Sequence, residues 1–283
     1  MGIIISADIG GSATKVAGYT ENGERIGKAI VRLDDQVASF YGAFGKFAEE
    51  HAVPLSEVRE LILTGVGASR LSHNQYDIPV TRVEEFEAIG RGGLLLAGVP
   101  EAIVVSMGTG TAFVHASHSG CTHLGGSGIG GGTLLGLSKL LLNETDVGAM
   151  SQLARDGVLR TADITIADIC EGEVPGLPPH ATASNFGKVR SALPPADAAA
   201  ALINMVLQGI GTMAMLAARG RGISTVVLTG SLASLPQAKG IYETFREMYG
   251  LSFLLPDDAE YATAFGAFAS RLLRKAAPLF NES

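Results

Sequence analysis

Two glycine turns carry the residues best suited to chemistry in this chain. The first spans residues 8–15 and reads Asp-Ile-Gly-Gly-Ser-Ala-Thr-Lys; the second spans residues 108–111 and reads Gly-Thr-Gly-Thr. Glycines allow main-chain N–H groups to approach a polyphosphate, hydroxyl groups can donate hydrogen bonds to it, and a lysine can meet its charge. The candidate phosphate ligands are Gly10, Gly11, Ser12, Thr14, Lys15, Gly108, Thr109, Gly110 and Thr111.

Asp8 follows a short apolar run and lies directly before the first glycine turn. A carboxylate at that position is well placed to hold a hydrated Mg²⁺ ion beside the phosphates. Either turn alone is equally consistent with an ordinary β-turn, because Gly-Gly turns are common. A pair of similar turns is more specific, since together they can hold the phosphates of one nucleotide from both sides.

A third glycine cluster spans residues 125–132 and contains a G-x-G-x-x-G pattern that starts at Gly126. The segment before it is short and hairpin-like, and no acid follows about 20 residues later at the end of a second parallel strand, so a Rossmann dinucleotide site is not predicted. We instead predict a glycine loop that opens a helix at Thr133, whose N-terminus favours an anion. The predicted anion contacts of this loop are Gly130, Gly131 and Gly132.

Three acids, Glu84, Glu85 and Glu87, lie at a predicted junction between a strand and a helix. Acids in the first turn of a helix are favoured by its dipole, and capping is a sufficient role for Glu84 and Glu87. An acid that faces a cleft could instead act as a general base. It would accept the proton of a substrate hydroxyl as the hydroxyl oxygen attacks a γ-phosphate.

A metal site is a competing interpretation of one segment. Its His115, His118, Cys121 and His123 have the spacing H-x2-H-x2-C-x-H, which superficially suggests zinc. On a compact hairpin these side chains alternate between the two faces, which disfavours a shared ion. Zinc is therefore the weaker interpretation.

Both phosphate turns are flanked by predicted strands. The first set of strands covers residues 3–7, 14–19 and 25–32, with an Asn-Gly turn before the third. A second set repeats the same order over residues 103–106, 112–116 and 121–124. Helices and strands alternate elsewhere, which indicates an α/β fold. We predict two lobes, residues 1–102 and 103–283, packed around a cleft.

One segment, residues 198–218, contains no charge and is long enough to cross a membrane. Asn204, Gln208 and Thr212 recur at every fourth position and form a polar stripe on it. That pattern favours a buried helix whose stripe faces another helix or a ligand. We expect two glycines within it, Gly209 and Gly211, to serve close packing.

The composition excludes several classes of function. The 283 residues carry a net charge of −7, which argues against a surface built to neutralise nucleic-acid phosphates or anionic lipid. The first residues lack the basic region of a signal peptide, and two isolated cysteines fit a reducing cytoplasm. The 37 glycines make up about 13% of the chain against a usual 7%, and pairs and runs of them fall at residues 10–11, 108–110 and 125–132. We expect a cytoplasmic protein that binds neither nucleic acid nor membrane.

The order and spacing of these motifs resemble those of the type II pantothenate kinases, within the superfamily of sugar kinases, actin and heat-shock ATPases. The matching segments are residues 8–15, 83–88, 107–111, 124–132, 135–137, 182–187 and 264–267. The resemblance implies a two-lobed, actin-like and ribonuclease H-like duplicated fold with a nucleotide cleft between the lobes. It also implies ATP and Mg²⁺ as cofactors, and a homodimer that uses the long helix of the C-terminal lobe.

The family phosphorylates the primary hydroxyl of pantothenate, in the first step of coenzyme A biosynthesis, and by position Glu85 matches its catalytic glutamate. His123 stands where the family has an arginine that helps to hold pantothenate, and Ala112 where it usually has a serine. Histidine lacks the bidentate fork of arginine and holds a carboxylate less well. The predicted acceptor contacts are Thr109, Ala112 and His123.

The sequence therefore predicts an ATP-dependent kinase of pantothenate or a related compound. One alternative is a nucleotide-binding or CoA-binding relative that has lost turnover, against which Glu85 and Lys15 argue. Another is a kinase of a different small hydroxylated metabolite, or a sugar kinase or repressor with a similar opening motif. Many such proteins carry a cysteine-rich zinc motif, which Cys121 and Cys170 alone cannot supply.

Overall fold

The computed structural model describes residues 2–72, 74–172 and 174–276. The strands are β1 (Ile3–Ile9), β2 (Thr14–Thr20), β3 (Arg25–Val31), β4 (Val58–Thr64), β5 (Asn74–Gln75), β6 (Ile78–Arg82), β7 (Glu101–Met107), β8 (Thr111–Ser117), β9 (Gly120–Ser127), β10 (Ile164–Thr165), β11 (Thr182–Ser184), β12 (Thr225–Thr229) and β13 (Ser252–Leu254). The helices are α1 (Gln36–Glu50), α2 (Glu85–Ala97), α3 (Gly131–Leu142), α4 (Val147–Leu153), α5 (Ile166–Ile169), α6 (Pro195–Arg221), α7 (Pro236–Tyr249) and α8 (Ala262–Ala276).

The first sheet has the strand order β3-β2-β1-β4-β6-β5. Strands β1, β2 and β3 form an antiparallel meander, and β4 runs parallel to β1. Gly23 has φ +88°, a left-handed conformation that glycine adopts without strain, which explains the turn between β2 and β3. The predicted opening meander is confirmed.

The second sheet repeats this plan with the order β13-β12-β7-β8-β9. Strands β7, β8 and β9 form a second antiparallel meander, and β12 runs parallel to β7 as β4 does to β1. The predicted duplication is therefore confirmed at the level of topology. In each sheet one glycine turn joins the first two strands of the meander, so both turns lie at the same end of their sheets.

Each sheet is covered by helices on both faces because its central strands are apolar on both sides. On the first sheet, α1 packs Phe40, Phe44 and Phe47 against one face. On the other face, Phe268 of α8 stacks on Tyr19 with ring centroids 3.7 Å apart. Long helix α6 covers one face of the second sheet and α2 covers the other.

Helices α2 and α8 cross between the two sheets at two glycines. A Cβ atom on Gly92 would lie 1.9 Å from the carbonyl oxygen of Ala262, and one on Gly266 would lie 1.8 Å from that of Ala88. The two backbones are therefore in direct contact. The division into residues 1–102 and 103–283 stays a prediction, and its ends at residue 1 and residues 277–283 lie outside the described residues.

The long helix α6 begins at Pro195, before the predicted start, and ends at Arg221. In the described parts of the chain it alone is long and apolar enough to cross a membrane, and 67% of its apolar window is buried inside the protein. Its polar stripe faces a partner segment, as predicted: Asn204 Nδ2 donates to Asp163 Oδ2 at 2.8 Å and Gln208 Nε2 donates to Thr182 Oγ1 at 3.1 Å. Thr212, the third residue of the stripe, is exposed.

Strand β11 pairs with the short strand β10. The predicted packing role of the two glycines in α6 is wrong for one of them. Of the two glycines in α6, Gly211 packs against Phe245, but a Cβ atom on Gly209 would meet nothing within 4 Å. Gly209 therefore has no close-packing role within the described chain.

Candidate active site

A cleft of about 460 Å³ lies between the two sheets, at the end where both glycine turns lie. That volume suits a small-molecule site. Most of the predicted site residues line it: Asp8, Gly10, Gly11, Ser12, Lys15, Glu85, Gly108, Thr109, Gly110, Thr111, Ala112 and His123. The structure thus brings together residues more than 100 positions apart.

The two glycine turns meet across this cleft. The first is closed by a hydrogen bond from Gly10 N–H to the Ala13 carbonyl at 3.0 Å. The hydroxyl oxygens of Ser12 and Thr109 lie 3.1 Å apart, within hydrogen-bond distance. A Cβ atom on Gly11 would lie 3.5 Å from Thr109 Oγ1, so the two turns are in van der Waals contact. Together they form one cradle of small and hydroxyl-bearing residues.

Asp8 and Lys15 lie at the base of the cradle. They are direct partners in the β1–β2 ladder and therefore point to the same face of the sheet. Lys15 Nζ lies 3.8 Å from Asp8 Oδ2, and each side chain is only 12% exposed. Burial raises the pKa of Asp8, while the nearby ammonium group of Lys15 acts in the opposite direction. The pair supplies one acidic and one basic group at the point where the phosphates would enter.

Glu85 is the first residue of α2 and lines the same cleft. Burial raises its pKa to about 7; the charges of Asp8 and Glu84 act in the same direction and that of Lys15 opposes them. A carboxyl group with a pKa near neutrality is suited to take a proton in a reaction at neutral pH. Glu85 is therefore the acid of this junction that has the properties of a general base.

Of the two acids beside it, Glu84 caps the helix as predicted, whereas Glu87 has a different structural role. The side chain of Glu84 caps α2 by accepting a hydrogen bond from Glu87 N–H at 2.8 Å. Glu87 forms an ion pair with Arg91 Nε, also at 2.8 Å. Both roles fix the first turn of α2 and hence the position of Glu85.

The prediction that Gly130, Gly131 and Gly132 contact phosphate is wrong. Gly131 N–H donates to the Gly108 carbonyl at 2.8 Å and Gly132 N–H donates to the Thr109 carbonyl at 2.9 Å. Gly130 N–H donates to Thr133 Oγ1 at 3.3 Å. The N–H groups of Gly131 and Gly132 therefore bind the carbonyl groups of the second glycine turn. They support the cradle, and the three glycines are not among the described residues that line the cleft.

The side chain of Thr14 does not line the cleft either. Thr14 is the ladder partner of Ile9 and shares its face of the first sheet, which packs on α1; Lys15 is on the opposite face. The Thr14 side chain is fully buried, and its hydroxyl has no hydrogen-bond partner among the residues that the structure describes. This corrects its assignment as a phosphate ligand. Thr111 does line the cleft, but its hydroxyl donates to the Ile129 carbonyl at 2.8 Å and so supports the loop.

Thr14 and Ser12 provide a matched test of this correction. We expect Thr14→Val to leave the KM for ATP unchanged and to raise the free energy of unfolding by up to about 1 kcal/mol, because it removes an unpaired buried hydroxyl. Ser12→Ala should raise the KM for ATP severalfold, because the Ser12 hydroxyl is exposed in the cradle. Steady-state kinetics and urea unfolding measure both effects. A severalfold rise in KM for the Thr14 variant would contradict the assignment.

The predicted acceptor residues lie beside Glu85. His123 stacks on Phe86 with ring centroids 3.8 Å apart and an interplanar angle of 7°. Phe86 follows Glu85 on α2, and Ala112 and Thr109 line the same cleft. This aromatic pair and the alanine form a wall with few polar groups next to the candidate base.

The zinc interpretation has no support in the structure. His115 Nε2 lies 2.8 Å from Glu101 Oε1, and Cys121 packs against Gly90 of α2. His123 shares the α2 face of β9 with Cys121 but stacks on Phe86, whereas His115 is on the other face of the sheet. Within the described ranges, no three His, Cys, Asp or Glu residues are placed to hold a metal ion together.

The donor chemistry of the cradle fits one divalent cation held partly by a nucleotide. Asp8 offers a carboxylate oxygen, the ligand type that Mg²⁺ prefers, and Mg²⁺ is usually bound through one or two carboxylates, water and substrate phosphates. Asp8 is buried at the base of the cleft. The hydroxyl of Thr64, its partner in β4, is buried and has no hydrogen-bond partner in the described part of the chain. Water or a hydrated ion beside Asp8 would satisfy both groups.

Several cleft residues have no signal in the sequence motifs. Arg32 follows β3, Gly230 and Ser231 follow β12, and Glu260 precedes α8. Arg32 Nη2 forms an ion pair with Glu260 Oε1 at 2.6 Å across 228 positions of sequence. Gly230 and Ser231 lie outside those motifs, but they directly follow β12, which pairs with the first strand of the second meander, so the duplication was a signal for them.

The Fumble family model matches residues 99–239, about half of the chain. The type II pantothenate kinase of Staphylococcus haemolyticus is 27% identical over 93% of this chain and 98% of its own length. That of Staphylococcus aureus is 26% identical over 93% and 97%. The chain belongs to the Fumble family.

The duplicated fold also occurs outside the Fumble family. The activator of 2-hydroxyisocaproyl-CoA dehydratase from Clostridium difficile, solved with bound ADPNP, aligns with a TM-score of 0.69 over 99% of both chains. Its sequence identity is 14%, so the likeness concerns the fold. The predicted α/β, two-lobed actin-like architecture is confirmed, and so is the predicted relationship to the type II pantothenate kinases.

Proposed function

We propose that this protein transfers the γ-phosphoryl group of ATP to the primary hydroxyl of pantothenate or a closely related alcohol, the first step of coenzyme A biosynthesis. The hydroxyl oxygen attacks the γ-phosphorus, the bond between that phosphorus and the β–γ bridging oxygen breaks, and ADP leaves. Glu85 takes the proton of the attacking hydroxyl. The products are ADP and a phosphate monoester.

The observation that carries this proposal is the position of Glu85. It lines the same cleft as the two glycine turns, with a pKa of about 7. A base and a phosphate cradle in one cleft are the parts that phosphoryl transfer to an alcohol requires, because catalysis there depends mainly on positioning and charge. A protein that only binds nucleotide has no need of such a base.

The phosphates would be held by the two turns and Lys15. Gly11, Gly108 and Gly110 line the cleft and would offer main-chain N–H groups. Ser12 and Thr109 would add hydroxyls, and Lys15 adds charge. Asp8 would hold Mg²⁺ through water. When bound, the ion neutralises charge that accumulates on the phosphates.

The names of the relatives support pantothenate as the acceptor class. The wall formed by Phe86, His123 and Ala112 suits an acceptor with an apolar body next to its reacting hydroxyl. His123 and Ala112 replace an arginine and a serine of the family pattern, so a carboxylate end would be held less firmly than in the family. Related primary alcohols that lack the carboxylate are therefore included in the proposal.

A coupled assay of ADP release tests the function. Pantothenate, pantetheine and other primary alcohols are supplied in turn with ATP and Mg²⁺, and each reaction is compared with one that lacks acceptor. We expect acceptor-dependent ADP release with pantothenate or pantetheine. ADP release that is the same with and without every acceptor would contradict the kinase proposal and would favour a nucleotide-binding protein.

The raised pKa of Glu85 predicts a pH dependence. As a base Glu85 must be deprotonated, so kcat/KM should rise about tenfold per pH unit below pH 7 and level off above it. The residual kcat/KM of Glu85→Gln should not show this rise below pH 7, because glutamine does not titrate. Rates measured between pH 5.5 and 9 in buffers of constant ionic strength check the result. A profile of the wild type that is flat through pH 7 would contradict the role of Glu85.

We also propose a homodimer and a cytoplasmic location. Leu140 and Leu141 of α3 are 81% and 59% exposed, and Leu216 of α6 is 60% exposed. Exposed leucines on helices that pack against each other supply apolar surface that an interface between two copies would cover. Sedimentation velocity of the purified protein should give the mass of a dimer, and a monomer at micromolar concentration would contradict it.

A further inference from the structure

Two similar ion pairs connect the first residue of β3 and the residue that follows β3 with the segment before α8. Arg25 Nη1 lies 3.0 Å from Asp258 Oδ2, and Arg32 Nη2 lies 2.6 Å from Glu260 Oε1. Lys28 also binds Asp258. Both arginines are exposed and both acids are largely covered. Only the Arg32–Glu260 pair lines the cleft.

The strand register places Arg32 beside the first glycine turn. Thr14 is the ladder partner of Val31, so Arg32 is the next residue along the edge of that turn. Ile30 is the partner of Lys15, and because side chains alternate along a strand, Arg32 lies on the face that Lys15 occupies. Arg32 and Lys15 therefore flank the cradle from the same side.

The charges of the cleft leave Arg32 as the available cation. Among its described lining residues, the permanent cations are Lys15 and Arg32, and the acids are Asp8, Glu85 and Glu260. Lys15 is held beside Asp8 and is 12% exposed, whereas the Arg32 side chain is 62% exposed. A polyphosphate needs more positive charge than Lys15 supplies, and a guanidinium group can bind two phosphate oxygens at once.

We propose that Arg32 is a phosphate ligand of the nucleotide and that Glu260 competes with the nucleotide for it. An exposed ion pair contributes about 0–1 kcal/mol, so Arg32 leaves Glu260 at little cost. Binding of the polyphosphate exchanges the carboxylate partner for phosphate oxygens. This inference rests on the proposed use of ATP. It adds to that proposal a residue, Arg32, whose partner changes when nucleotide binds in the cleft.

Calorimetric titration with ATP and Mg²⁺, in the absence of acceptor, tests the role of Arg32. Arg32→Ala should raise the Kd for ATP about tenfold or more, because it removes a charge-assisted contact. Arg25→Ala removes an arginine with the same kind of partner, at the other end of β3 from Arg32 and outside the cleft. Its Kd should stay within about twofold of the wild type. Thermal unfolding of each variant identifies any loss of fold.

The two acids should have different effects. Glu260→Gln should lower the Kd for ATP about twofold to fivefold, because it removes the competing charge. Asp258→Asn, the matched variant of the other pair, should leave it unchanged. If Glu260 had only a structural role, loss of its charge would not make the protein bind ATP more tightly.

The outcomes separate this inference from the proposed function. If the wild type does not bind ATP, the proposed function fails. If the wild type binds ATP and folded Arg32→Ala binds it equally well, or if Glu260→Gln weakens binding, the inference fails and the kinase proposal stands. Loss of binding in both Arg32→Ala and Arg25→Ala would assign the arginines to lobe packing and would also overturn the inference.

Discussion

Replacement of Glu85 by glutamine is expected to lower kcat for phosphoryl transfer by about 10²–10⁴-fold, the usual contribution of a positioned general base. Glutamine keeps the shape of the side chain but cannot accept the proton of the attacking hydroxyl. The KM for ATP should change little, because the phosphate cradle is built from the two glycine turns. Steady-state kinetics at pH 8 measure both constants.

Glu84→Gln is the matched control, since Glu84 is the neighbouring acid and caps α2. It should keep kcat within a few fold of the wild type and lose up to about 1 kcal/mol of stability with the weakened cap. Equal losses of kcat in the two variants would show that the position of α2, and not the base, limits the rate.

Stability gives a second readout of the same carboxyl group. The pKa of Glu85 rises from 4.5 to about 7 on folding, so the folded wild type binds more protons than the unfolded chain between these values. Its stability contribution is therefore lost as pH rises from about 4.5 through about 7. Glu85→Gln does not titrate, and its thermal midpoint should exceed that of the wild type by a margin that grows from pH 5 to pH 8. A fall in the midpoint at pH 8 would mean that the loss of kcat reflects damage to the fold.

Gly266→Ala is expected to have the largest effect on stability, a loss of about 3 kcal/mol or more. The new Cβ atom would lie 1.8 Å from the Ala88 carbonyl oxygen and 2.5 Å from the Gly92 nitrogen. These are backbone atoms, so helices α2 and α8 must separate to admit it. Because Glu85 begins α2, kcat should fall as well. Urea unfolding and kinetics measure the two effects.

Gly240→Ala in α7 is the matched control for this helix crossing. A Cβ atom at Gly240 would meet no described residue within 4 Å, so alanine should raise stability by about 0.5–1 kcal/mol through its higher helix propensity. A Gly266 variant that is as stable as the wild type would show that the crossing of α2 and α8 is looser than these distances imply.

The parts of the site that depend on local sequence could be predicted. Strand, glycine turn and strand occur in both halves, and the topology of both meanders follows from them. The capping role of Glu84 follows from its position before a helix. Glu85 needed the family resemblance as well, because the residues alone left open which acid faces the cleft.

The error at Thr14 was avoidable from the sequence. Side chains alternate along a strand, so Thr14 and Lys15 cannot both face one ligand from within β2. The error at Gly130–Gly132 was not. A helix N-terminus attracts any acceptor, and here carbonyl groups of the second turn occupy the N–H groups. Only the tertiary structure shows which acceptor is present.

The other features that the sequence did not predict depend on contacts between segments that are far apart along the chain. Arg32 and Glu260 are 228 positions apart, and no local pattern links them. From the sequence alone, the glycines of α2 and α8 argue against a helix, because glycine has a low intrinsic helix propensity. In the structure Gly92 and Gly266 allow the backbones of α2 and α8 to touch. This contact is a property of tertiary packing, and a helix-propensity scale contains no information about it.

The central claim is transfer of phosphate from ATP to an alcohol acceptor. Phosphorus NMR of the wild type with ATP, Mg²⁺ and pantothenate or pantetheine observes the product directly. We expect the signal of a new phosphate monoester to grow as the γ-phosphate signal of ATP declines, and to be absent over the same time with Glu85→Gln. Protein that binds ATP by calorimetry but yields only inorganic phosphate, or no change, with every primary alcohol would contradict the claim.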